Sequence, residues 1–166
     1  MFCGNAVGEM LPPYTVYKSE HLYDSWCCGG PKGSRFNRSK SGWFNEETFE
    51  DWFKTTALLC LKKQSGPKVL IGDNLSSHLS EEVVNLCNQH NIKFICLPAN
   101  STHLLQPLDV AVFRPLKVYW RRCVSDWKKV NTNHHTIPQS QFPYILSNVV
   151  KELAEGNGPA NLISGF

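Results

Sequence analysis

The sequence predicts a mixed α/β domain, and three stretches carry that prediction. Residues 68–73 form a continuous apolar run of strand length, residues 80–90 follow with helical spacing, and residues 92–97 form a second apolar run. Strand, helix and strand within about 30 residues is a βαβ unit, so the two runs are expected to lie parallel and adjacent. Because it is so apolar, the first run reads as a central strand covered on both faces.

The other elements follow in chain order. Residues 1–18 read as a hairpin-like pair of short strands turning at Gly8 and Glu9, with alternation from Tyr14 to Lys18. Between His21 and Trp43, Gly29, Gly30, Pro31, Gly33 and Gly42 predict a loop without a helix, holding at most a short strand near residues 35–38. Asn45 caps a helix whose first turn carries Glu46 and Glu47, and Phe49, Trp52, Phe53, Thr56, Leu59 and Cys60 recur on one face expected to be buried. Ser80 caps the next helix, with Val83, Val84 and Cys87 facing inward. Gln106 and Pro107 open another, since proline at the first helical position gives up no needed N–H. Its expected inward stripe is Phe113, Leu116, Trp120, Val124 and Trp127, and Pro115 is expected to bend it. A last helix spans about residues 140–155, after which no clear terminal element is expected.

With 166 residues, 42% hydrophobic and 19% charged, the chain has room for one domain, residues 1–166, with a buried core. No window approaches the roughly 18 apolar residues of a membrane span, and the N-terminus lacks the pattern of a secretory leader. Seven cysteines without a C-x-x-C pair favour reduced thiols and an intracellular setting. The net charge of +3 is mild, but six of the seventeen basic residues fall between Arg114 and Lys129, against one acid, Asp126. That is a local basic surface, not a globally basic chain.

Two acids stand where chemistry collects. Asp73 ends an apolar strand, the place where open α/β sheets gather ligands. Asp109 falls in the first turn of a helix. Each has an ordinary alternative: Asp73 as a turn former bonded to Ser76 or Ser77, and Asp109 as an acid favoured by the helix dipole. Together, a carboxylate at a strand end and one at a helix start can converge on a divalent cation, as in two-metal phosphoryl-transfer sites.

Three motifs carry a resemblance. Val69-Leu-Ile-Gly-Asp-Asn-Leu-Ser-Ser-His78, Asn91-Ile-Lys-Phe-Ile-Cys-Leu-Pro-Ala-Asn-Ser-Thr-His103 and Leu105-Gln-Pro-Leu-Asp-Val-Ala-Val-Phe-Arg-Pro-Leu-Lys117 resemble the DDE superfamily endonuclease domain of pogo, Tigger and Jerky-type transposases and the proteins derived from them. The flanks fit too, from Gly4-Asn-Ala-Val-Gly-Glu-Met-Leu-Pro-Pro13 through Ser41-Gly-Trp-Phe44 to Ile163-Ser-Gly-Phe166. The resemblance implies an RNase H-like mixed sheet flanked by helices, and an acidic triad holding two Mg²⁺ or Mn²⁺ ions. Asp73 and Asp109 match its second and third positions as catalytic and metal-holding residues, with Asn74 and His78 lining the site. It further implies DNA as partner, contacted by Arg114, Lys117, Arg121 and Arg122, and a nuclear setting, with oligomerisation left open.

The first acid of the triad is expected upstream of the segment resembling residues 4–13, and neither Glu9 nor Glu20 matches it. The chain therefore reads as partial at both ends, missing its first strand. The expectation is a transposase-derived nucleic-acid-binding domain not competent for cleavage in this chain. The alternatives are a metal-dependent endonuclease, if a longer product supplies the aspartate, and a protein-interaction module or relic.

Other motifs carry less. Cys87 with His90, and His134 with His135, lack a second pair at zinc-site spacing. Cys27 and Cys28 read as loop cysteines, and residues 29–34 lack the spacing of a phosphate-binding loop. Trp43, Trp52, Trp120 and Trp127 admit base stacking, but their place on amphipathic stripes favours core packing.

Overall fold

The computed structural model describes residues 1–73 and 80–166. These cluster into two compact units, one comprising residues 16–20 and 37–106, the other residues 1–15, 21–36 and 107–166. The architecture is mixed α/β, as expected. Strands β1 (Tyr14–Lys18) and β2 (Arg35–Ser39) form one two-stranded sheet.

In the first unit, β3 (Lys68–Gly72) and β4 (Ile92–Cys96) pair in parallel, with Leu70 opposite Phe94 and Ile71 opposite Ile95. Helix α3 (Glu81–Gln89) makes the crossover, and its start is fixed where the Ser80 hydroxyl accepts the Val83 N–H at 3.3 Å. Among the described residues, only one face of this sheet is covered. Leu70, Ile92, Val83 and Cys87 are buried, and Phe94 meets Phe49 edge-on at 6.3 Å. On the other face Val69, Ile71 and Ile95 remain 55%, 39% and 38% exposed. This corrects the expectation of a strand covered on both sides: residues of alternating parity point to opposite faces, and the packed layer lies against one of them.

Helix α1 (Glu46–Trp52) begins in a reciprocal cap, the Asn45 side chain accepting the Thr48 N–H at 3.0 Å while the Thr48 hydroxyl accepts the Asn45 N–H at 2.8 Å. A π-helical stretch, Phe53–Ala57, leads into α2 (Leu58–Leu61). The wider turn shifts the buried face, so Ala57 and Leu58 go in while Leu59, expected inside, comes out.

In the second unit, the expected hairpin at residues 1–18 is a tight turn closed by a single bridge between Gly4 and Met10, with the Asn5 side chain accepting the Glu9 N–H at 2.9 Å. The loop that follows does hold one short helical turn, Asp24–Trp26, where none was expected. After the short helix α4 (Thr102–Leu105) of the first unit comes a second π-helical stretch, Leu108–Val112, continuing into α5 (Phe113–Val130). Pro115 is the third residue of α5 and follows directly on the π-helical stretch, whose wider turn lies where its ring would meet the preceding carbonyls. Helices α6 (Phe142–Glu155) and α7 (Gly158–Gly165) close the unit. The last is a terminal element the sequence did not announce, with proline in its first turn and Leu162 fully buried. Leu108, Val112, Leu153 and Leu162 form its core, with Phe2, Met10 and Phe113 packed against it. None of the 18 residues of α5 is buried, so its expected inward stripe is only half covered.

Candidate carboxylates and nucleic-acid interface

Asp73 follows β3 directly, where the Gly72 carbonyl still accepts the Leu97 N–H at 2.9 Å, so the strand end is held by its parallel neighbour up to the residue before the carboxylate. The residue is half-buried, with Oδ1 shielded from solvent. Asn74 and His78, the expected site-lining residues, lie outside the described residues.

Asp109 is the second residue of the π-helical stretch that Pro107 precedes. Leu108 and Val112 on either side of it plug into the core of that unit, while Asp109 itself is exposed at the positive end of the helix. π turns inside helices frequently mark functional positions. Asp73 and Asp109 belong to different units. Both are hard oxygen donors, the ligand type of Mg²⁺ and Mn²⁺. Among the described residues, no group of three or more His, Cys, Asp and Glu is placed to hold a metal.

Beyond Asp109 the helix carries its cations. Arg114, Lys117 and Arg121 are exposed, and among the described residues none has an ion-pair partner. Their spacing of three and then four keeps them on one face. Arg122 lies a hundred degrees round the helix and does something else. Its Nη2 meets Glu152 Oε2 of α6 at 2.5 Å, and its guanidinium lies 5.4 Å from the centre of the Tyr119 ring. The hydrogen bond to Glu152 and the attraction between the charges hold the guanidinium even more firmly protonated than usual. The Lys129 ammonium, 2.7 Å from Asp126 Oδ1, holds that carboxyl below its ordinary range.

A family model described as "DDE superfamily endonuclease" matches residues 1–154, which include Asp73, Asp109 and the cations of α5. The chain belongs to the DDE superfamily endonuclease family. Its relatives include "Pogo transposable element with KRAB domain" from Homo sapiens, 28% identical over 125 residues, and the protein of the same name from Mus musculus, 26% identical over 125 residues. In both cases 74% of this chain and 20% of the relative are aligned. "MFS-type transporter clz9" from Cochliobolus lunatus is 31% identical over 134 residues, 80% of this chain and 15% of that protein. Among the described residues no helix is long and apolar enough to cross a membrane. The DDE superfamily chain thus spans a fifth or less of the length of these relatives. No solved structure matches it.

Sequence reasoning missed three features of this endonuclease-family chain. The Arg122–Glu152 pair joins residues far apart in sequence, which no local spacing reveals. The close approach of Gly165 to Pro107, whose carbonyl oxygen lies 2.8 Å from where a β-carbon on Gly165 would be, and the partial burial of Trp120 depend on how helices pack. The signal available for the last was the unusual density of arginine, lysine and tryptophan between residues 114 and 129.

Proposed function

We propose that this chain is a transposase-derived nucleic-acid-binding domain of RNase H-like type, working in the nucleus on DNA. The observation that carries the reading is the row of Arg114, Lys117 and Arg121, exposed and without ion-pair partners among the described residues, beginning one helical turn after Asp109. Cations left unpaired on one helix face are free to displace counterions from phosphates, the main source of affinity for a polyanion. Arg122 is withdrawn from that role by Glu152 and acts as a clamp between α5 and α6.

In this reading Asp73 and Asp109 each stand at a family position for a metal-holding carboxylate, with Mg²⁺ or Mn²⁺ the ions that suit such oxygen donors. A divalent cation so held supplies Lewis-acid polarisation of a phosphodiester oxygen. The chain's own residues contribute oxygen ligands of differing exposure, Asp73 partly desolvated and Asp109 open to solvent.

Gel retardation of a short duplex tests the reading. The unaltered chain is expected to retard it at low salt, and the Arg114→Ala/Lys117→Ala/Arg121→Ala variant to lose that retardation while keeping its helical circular dichroism. Equal retardation by both would reject the α5 face as the interface.

A further inference from the structure

The C-terminal half of α5 carries a shallow, open depression of about 530 Å³ bordered by Trp120, Arg121, Val124, Ser125, Lys128 and Lys129, all on that helix. We propose that this depression binds unpaired nucleotides, with a base stacked on Trp120 and its flanking phosphates on Arg121 and Lys128. The proposal rests on the nucleic-acid reading above and adds a second substrate form to it.

Three observations meet here. Trp120 is half-buried, leaving part of its side chain open to solvent, and its ring packs against Phe142, 5.6 Å away between ring centres and tilted by 53°. A platform already held in place loses little freedom when a base stacks on it. Arg121 and Lys128 are exposed and have no ion-pair partner among the described residues, whereas Lys129 is tied to Asp126 at 2.7 Å. Finally, Arg121 and Lys128 stand two helical turns apart, about 10 Å along the axis, with Val124 and Ser125 between them. An aromatic floor with cations on its rim is the composition of single-strand binding surfaces.

The physical preference for an unpaired strand follows from what each polymer can offer. In a duplex the base faces are already stacked, so it meets the rim cations and leaves the indole in water. An acidic peptide likewise satisfies the rim and not the floor. Only an unpaired base uses both.

The test is fluorescence anisotropy of the chain with labelled oligothymidylate and with a duplex of equal length, for the unaltered chain, Trp120→Ala, Trp120→Phe and Lys128→Ala. Trp120→Ala is expected to weaken oligothymidylate binding at least ~5-fold, the lower range for one lost stacking contact. Trp120→Phe is expected to restore most of it, and Lys128→Ala to weaken it while lowering the salt dependence by about 0.7 per phosphate contact. Duplex affinity is expected to hold in the Trp120 variants. Lys128 is exposed, so its variant keeps the test decisive if Trp120→Ala disturbs folding.

Oligothymidylate affinity unchanged in both Trp120→Phe and Lys128→Ala, together with no loss in a folded Trp120→Ala, would overturn the proposal. Competition by polyglutamate as effective as by oligothymidylate would do the same, since it would mean the depression reads charge alone. Duplex binding that persists without any oligothymidylate binding would reject this site and leave the α5 interface standing. No binding of either would reject both.

Discussion

The carbonyl oxygen of Pro107 lies 2.8 Å from where a β-carbon on Gly165 would be, and the Ala111 methyl lies 3.1 Å from the same point. Helix α7 therefore rests directly on the backbone of the turn that presents Asp109, and only glycine permits that approach. Gly165→Ala is expected to push the two apart and to cost about 1–3 kcal/mol. Ser164→Ala, one residue earlier on the exposed side, is expected to stay within about 0.5 kcal/mol. Urea unfolding of the two variants compares them directly.

Arg122 and Arg121 are neighbours in sequence with different tasks. Removing Arg122 leaves the buried Glu152 oxygen without its 2.5 Å partner, so Arg122→Ala is expected to lower the melting temperature and leave duplex affinity within about twofold. Arg121→Ala is expected to do the reverse, with an unchanged melting temperature and weaker binding. A thermal melt and a binding titration on each variant separate the two roles, and matching effects from both would contradict the assignment.

Thiol accessibility tests the βαβ unit. Cys87, 4% exposed, sits on the buried side of α3, and burial pushes its thiol above the ordinary value of 9.0. Cys28 is exposed in its loop. Native alkylation followed by mass spectrometry is expected to label Cys28 early and Cys87 only on unfolding. Because the folded protein holds the Cys87 proton more tightly, the stabilisation is present below pH 9.0 and is lost as pH rises through the raised value. Cys87→Ala is expected to flatten that alkaline decline in chemical-denaturation stability, and an identical slope would count against a buried thiol.

Manganese titration followed by electron paramagnetic resonance addresses the carboxylates. Weak binding is expected in the unaltered chain and lower affinity in Asp73→Asn and in Asp109→Asn. Equal binding in all three would mean that these acids do not hold the ion.

How much of this was legible in the sequence differs by element. Asn45 and Ser80 were readable as caps because a cap is a local bond over three residues, and the parallel pairing of residues 68–72 with 92–96 followed from the length of the crossover. Leu59 was misplaced because a π turn adds a residue that a 3.6 period does not contain. The open face of β3 was missed because apolar composition reports that a strand suits burial and not which layers are present to bury it. For the site, the motifs pointed to Asp73 and Asp109 as residue types in place. Arg122 looked identical to Arg121 until its partner on α6 was known, since spacing assigns a face but not a neighbour.

The most direct test of the α5 interface is the salt dependence of duplex binding for the unaltered chain and for Lys117→Ala. A lysine that contacts a phosphate contributes about 0.9 to the slope of log affinity against log salt. The account predicts a steep slope for the unaltered chain and one shallower by about that amount for Lys117→Ala, with affinity reduced similarly across duplex sequences. A slope unchanged by Lys117→Ala, or affinity indifferent to salt, would contradict it.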